Sequence, residues 1–140
     1  MLRPALAGLC ALVLSAAAAA QDGPTGIAFA EAPEQASGVC TGDTPDVAMA
    51  CARRRCAEAG ARPADCLRVA WCYPAGWSAD VFVQHREGPH WHEYLCGWSS
   101  RAAALAAAEV TCDAALRPDL IECAVVRLFD EGGNEIAVDP

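Results

Sequence analysis

The chain has no lysine. That absence removes whole reaction classes. Schiff-base aldolases and pyridoxal-phosphate enzymes need a lysine amine, and a phosphate-binding P-loop needs its lysine as well. Also missing are a C-x-x-C pair, as a zinc knuckle would supply, and a G-x-S-x-G elbow for a serine nucleophile. Basic charge is scarce: 18 acidic residues face 10 basic ones, for a formal net charge of −8. Such a balance argues against nucleic acid or an anionic membrane as partner. Beyond the N-terminal segment no apolar run is long enough to span a bilayer, so no membrane insertion is expected after that segment is removed.

The N-terminal segment itself reads as an address. Arg3 gives a short positive n-region, Leu6 to Leu14 an apolar stretch, and Ala18-Ala19-Ala20 a small-residue cleavage site before Gln21. Residues 1–20 are therefore expected to be a signal peptide, and 21–140 one domain exported to the periplasm or secreted. Removing Arg3 leaves nine arginines against eighteen acids, a net charge of −9.

What is present in quantity is cysteine. Nine occur, and Cys10 lies in the leader. The other eight, Cys40, Cys51, Cys56, Cys66, Cys72, Cys96, Cys112 and Cys123, make an even set bound for an oxidising compartment, the usual basis of a disulfide framework.

Their spacing exposes an internal repeat. A shift of 56 residues lays Cys40 on Cys96, Cys56 on Cys112 and Thr44 on Ser100; Arg62-Pro63 meets Arg117-Pro118 at 55, and Cys66 meets Cys123 at 57. Upstream, Ile27–Ala30 aligns with Val81–Gln84. The repeats span about 25–73 and 78–130, leaving 131–140 as a flexible tail. Each copy reads as ββαβ: strands at 27–30 and 37–40 (80–85 and 90–96), an Ala-rich helix, and a closing strand at 66–71 (123–129). Thr44 before Pro45 is a helix N-cap with proline where its missing N–H costs nothing, and Gly60 stops that helix. In the second copy Ser99 or Ser100 caps a helix running to about Ala115. The expected fold class is α+β, with the two ββαβ copies sharing one sheet and both helices on one face.

The helix–turn–strand corners predict disulfides Cys56–Cys66 and Cys112–Cys123. Symmetry then suggests Cys40–Cys96 across the copies and Cys51–Cys72 from what remains, although spacing alone cannot fix connectivity.

With these residues in view, the chain resembles a family of small exported bacterial proteins known as domain of unknown function 4189. The resemblance rests on Ala102–Cys112 followed by Glu122-Cys123-Ala124-Val125-Val126, and on Ala48–Cys56 followed by Cys66-Leu67-Arg68-Val69. It implies an exported domain and supplies no catalytic residues.

Two functional readings follow. The first is a non-catalytic interaction or envelope-accessory protein with a protein partner, suggested by small size, export, stapling and acidity. The second is a zinc or copper protein. If His85 pairs with His90 across the turn at 86–89, then His85, His90 and His92 share a face at the end of a hairpin, and imidazoles suit those metals. A serine hydrolase built from Ser99 or Ser100 with His92 and Glu93 is disfavoured, since a serine at a helix start is ordinarily a cap. Arg53-Arg54-Arg55 reads as dipole compensation or as a dock for an acidic partner. Trp71, Trp77, Trp91 and Trp98 read mostly as core.

Overall fold

The computed structural model describes residues 24–138; the expected signal peptide lies outside them. The element order is β1 (Gly26–Ala32), β2 (Ala36–Gly42), α1 (Pro45–Glu58), β3 (Leu67–Cys72), β4 (Trp77–His85), β5 (His90–Trp98), α2 (Arg101–Thr111), β6 (Leu120–Phe129) and β7 (Glu135–Ile136). The protein is α+β, and the ββαβ order occurs twice.

The strands form two sheets, not one. Their orders are β2-β1-β3 and β5-β4-β6-β7, all antiparallel. In each, the first strand of a ββαβ unit is flanked by the second and third. The reason lies in β1, which is apolar on both faces. Ala28, Ala30 and Ala32 pack under α1 with Cys40, Ala48 and Ala52. Ile27 and Phe29 point the other way, where a single shared sheet would leave them in water. They are covered instead by the second sheet: Phe29 stacks on Tyr94 at 4.6 Å and meets Phe129 edge-on at 5.6 Å. Burying two such side chains contributes on the order of 1.5–3 kcal/mol each. On its outer face the second sheet packs Ala79, Val81 and Leu128 against Ala104 and Ala108 of α2. The layers therefore run α1, first sheet, second sheet, α2, with a helix on each outer face. This replaces the expected arrangement of both helices on one side.

The helices begin where the sequence indicates. Thr44 Oγ1 accepts from Val47 N and Ser100 Oγ from Ala103 N, with Pro45 at the first helical turn of α1. Gly38 lets α1 lie against β2, because a Cβ there would stand 2.0 Å from the Ala52 carbonyl oxygen. The second helix stops at Thr111, short of the expected Ala115, where Asp113 Oδ1 takes the Ala115 N–H and bends the chain into a turn. The expected flexible tail also differs. Asp130 accepts from Gly132 N and Asn134 N, folding residues 130–134 into a turn that returns β7 to β6, and Ile136 and Val138 join the α2 cluster.

Four disulfides staple the layers. Cys56–Cys66 and Cys112–Cys123 close the two helix–turn–strand corners, as the repeat predicts, with Cα atoms 6.0 and 5.4 Å apart. The other two differ from expectation: Cys40 joins Cys51, and Cys72 joins Cys96. Strand alternation explains the change. Cys40 stands opposite Ala28 on the α1 side of its sheet, beside the helix that carries Cys51. The matching ladder position in the second sheet holds Leu95, opposite Ala79, so Cys96 falls on the inter-sheet side next to Cys72. Cys72–Cys96 is the disulfide that ties one ββαβ unit to the other. Four disulfides suit an oxidising compartment. Among the described residues no helix is long and apolar enough to cross a membrane.

Candidate functional site: a charged cleft between the sheets

Each sheet carries a bulge at the same place in its ladder. In the first, the β1–β3 register shifts between Phe29 and Ala30, leaving Val69 as the extra residue; in the second, the β4–β6 register shifts between Asp80 and Val81, leaving Val126. Beside the first bulge Phe29 pairs with Val39 and Ala70, and beside the second Asp80 pairs with Tyr94 and Arg127. Matching inter-sheet positions are thus apolar in one unit and ionisable in the other.

Asp80 is fully buried. Its Oδ2 accepts from Arg127 Nε at 2.8 Å and from Nη2, and its Oδ1 lies 2.6 Å from His92 Nδ1. A carboxylate paired with a guanidinium only accepts, so His92 Nδ1 carries a proton toward it. Arg127 Nη2 also donates to Ser37 Oγ at 2.8 Å, bonding the second sheet to β2 of the first. Burial acts to lower the Arg127 pKa, but Asp80, with Tyr94 and Glu135, outweighs it, and the net direction is upward.

These groups form the wall of a cleft of about 320 Å³ lined by Glu31 and Ser37, by Glu34 and Gln35 of the β1–β2 turn, and by His92 and Arg127. Glu31 is pushed above the usual carboxylate range by burial, with His92 and Tyr94 pulling partly the other way. Tyr94 is driven well above an ordinary phenol by burial, then by Asp80 and Glu31. Its hydroxyl is buried next to Glu31 and Ser37, yet makes no hydrogen bond of ordinary geometry. A larger hollow of about 550 Å³ lies at the other end of the strands, bounded by Thr25, Pro74, Gly76, Gly97, Trp98 and Glu131. It has more room and a single ionisable side chain, whereas the smaller cleft gathers Glu31, Glu34, His92 and Arg127.

The histidines take separate places. The observed register pairs Gln84 with His90 and Phe82 with His92, one residue away from the His85–His90 pairing that a three-histidine site requires. Alternation then puts His85 on the face of Val81 and Val83, while His90 and His92 flank Phe82 on the other. His85 Nδ1 accepts from Glu87 N, and His90 Nε2 lies 3.6 Å from Glu34. Among the described residues no group of three or more His, Cys, Asp or Glu side chains is arranged to hold a metal ion. Ser100 is spent as a helix cap, and Glu93 is on the α2 side of β5, bonded to Arg117 and Trp91. Of the three consecutive arginines, Arg53 donates to the Cys66 carbonyl and Arg55 to that of Val39, while Arg54 lies 3.8 Å from Glu58. Arg53 and Arg55 thus tie α1 to the strand side, while the Arg54 pair stays within the helix.

Asp80, Arg127 and Glu31 were not singled out by the sequence. A signal existed: an acid inside Ala79-Asp80-Val81-Phe82-Val83 and a base inside Val125-Val126-Arg127-Leu128-Phe129 are opposite charges in the middle of apolar strands. Comparison with protein-family models, with curated proteins and with solved structures finds no match.

Proposed function

We propose that the protein is an exported, disulfide-stapled interaction module that recognises an envelope or secreted protein partner through the cleft between its sheets, without catalysis. One observation carries this reading. The first unit fills its inter-sheet ladder positions with Phe29, Val39 and Ala70, whereas the second places Asp80, Tyr94 and Arg127 there. A buried ion pair is commonly no more stabilising than well-packed apolar side chains of similar volume. Stability alone therefore favours the first solution in both units, and the second is retained for what it presents. It presents an imidazole and a guanidinium held in fixed orientation at a cleft wall, which suits recognition. The cleft lacks a nucleophile paired with a base: Ser37 is bonded to Arg127, and the cysteines of the fold are paired. The resemblance to domain of unknown function 4189 supports the compartment and adds no activity.

The test is site-specific photocrosslinking of the exported protein in a bacterial host. A photoreactive residue at Gln35, in the cleft, is expected to give a discrete protein adduct, and one at Glu58, at the end of α1, none. Equal labelling from both positions, or none from Gln35, would overturn the reading.

A further inference from the structure

We infer that, among the described residues, the Arg86–Glu87 bond is the one at which an arginine-directed endoprotease opens the folded chain, giving a two-chain form held together by Cys72–Cys96. The inference does not depend on the cleft. Composition limits the sites. A trypsin-type enzyme selects a basic side chain through a carboxylate in its specificity pocket, and this chain has no lysine, so only arginyl bonds qualify. Arg62 and Arg117 are each followed by proline. Its ring removes the N–H and restricts the residue before it, so those bonds resist cleavage. Arg53, Arg54 and Arg55 lie in α1 and Arg101 in α2, where helical hydrogen bonds keep the backbone from being presented extended. Arg127 is within β6, its guanidinium on Asp80. Arg68 is more open, but β3 holds it in the ladder, with Ala30 opposite it and the Glu31–Leu67 and Phe29–Ala70 pairs on either side.

Arg86 is placed differently. It lies beyond the last ladder pair of β4 with β5, Gln84 with His90, in a turn whose residues 86–89 are all exposed. Two backbone bonds close that turn, His85 N to Pro89 O and Gly88 N to His85 O, and a third ties Arg86 N to Asp119 O. Gly88 takes φ +108, and a Cβ built there would meet nothing within 4 Å, so the tip stands clear of the rest of the molecule. The Arg86 guanidinium rests on the Pro118 carbonyl and near the Asp119 carboxylate, exposed contacts of small worth that it can give up. Exposed tips are the preferred sites of nicking, because opening them breaks few contacts.

The topology determines what the cut leaves. Water adds across the amide, giving a carboxylate on Arg86 and an amine on Glu87. Cys40–Cys51 and Cys56–Cys66 fall on the first piece and Cys112–Cys123 on the second, so of the four disulfides only Cys72–Cys96 spans the cut. The ladders of β4 with β5 and of β4 with β6 also join the two pieces and lose no pair. The nicked molecule stays folded as two chains.

The experiment is native digestion of the mature, oxidised protein with trypsin, followed by intact mass with and without reductant. Before reduction, one species heavier than the parent by a single water is expected. After reduction there should be two pieces, the second beginning at Glu87 by N-terminal sequencing. Arg86→Gln should abolish the nick, and Arg68→Gln should leave its rate unchanged. Retention of four disulfides by intact mass, measured before digestion, confirms that each variant is folded. A first cut at any other arginine, or a nick that persists in Arg86→Gln, would overturn the inference. So would a folded chain left whole by a treatment that cuts the reduced, unfolded chain at Arg86. Pieces that separate without reductant would overturn the two-chain form.

Discussion

The two ββαβ units solve the same packing problem with different residues. In the first, the inter-sheet face beside the bulge is Phe29, Val39 and Ala70, all apolar. In the second, it is Asp80, Tyr94 and Arg127, closed at the centre and open toward the β1–β2 turn. The helix-facing sides do not diverge in this way, since Ala28 and Ala30 under α1 correspond to Ala79 and Val81 under α2. Polarity therefore differs between the units on one face only, the face that borders the cleft. The apolar unit supplies the cover that makes the polar one a site, because Ser37, Glu31 and the turn after β1 all come from the first sheet. Neither unit has a cleft without the other.

The largest effect is expected from breaking the charged trio unevenly. Asp80→Ala leaves Arg127 partly buried and unpaired and should cost roughly 3–5 kcal/mol in denaturant unfolding. Moving the first unit's solution into the second, as Asp80→Phe with Tyr94→Val and Arg127→Ala, should instead leave stability near that of the parent or raise it by about 1–4 kcal/mol, while abolishing crosslinking from Gln35. A triple variant as unstable as Asp80→Ala would show that the trio is a structural requirement, and the contrast between the units would lose its functional meaning.

Next in size is the covalent link between the units. Cys72 and Cys96 are 24 residues apart in sequence, and opening a loop of that length costs about 3 kcal/mol on the chain-entropy account. Replacing both with serine should lower the unfolding midpoint accordingly and loosen Phe29 against Tyr94, seen as faster amide exchange in β1 and β5 than in β4 and β6. Uniform exchange across both sheets would mean that the aromatic contacts hold the units together without the disulfide.

Much of this architecture was legible in the sequence, for identifiable reasons. Helix starts are written locally, in Thr44-Pro45 and in Ser100, and the corner disulfides Cys56–Cys66 and Cys112–Cys123 follow from short, tight connections. What was not legible depends on which face a side chain takes. A one-residue difference in hairpin register separated His85 from His90 and His92, and an irregularity in β5 turned Cys96 toward Cys72 and away from Cys40. The two-sheet arrangement could have been suspected from Ile27 and Phe29 alternating with alanines, since a strand apolar on both faces needs two covers. The site was hidden because Asp80 and Arg127 are 47 residues apart and meet only once β4 and β6 pair.

The smallest expected effect bears most directly on the cleft. Glu31 and Glu93 are both partly buried, but their environments push in opposite directions. Burial raises the Glu31 pKa above 4.5, whereas at Glu93 burial is outweighed by Arg117 and Trp91, and the pKa falls below 4.5. A carboxyl whose folded pKa is raised weighs against folding once the pH is high enough to ionise it, and that cost disappears on acidification below about pH 4.5. A carboxyl whose folded pKa is lowered contributes stability above that pH and loses it as the pH falls through the folded value. Glu31→Gln should therefore raise the melting temperature near neutral pH, and Glu93→Gln should lower it. Each change is worth less than about 1 kcal/mol, because both groups retain solvent contact, and both differences should shrink toward the acid end of a melting series. If Glu31→Gln is instead destabilising near neutral pH, the ionised carboxylate is already held by Tyr94 and Arg127.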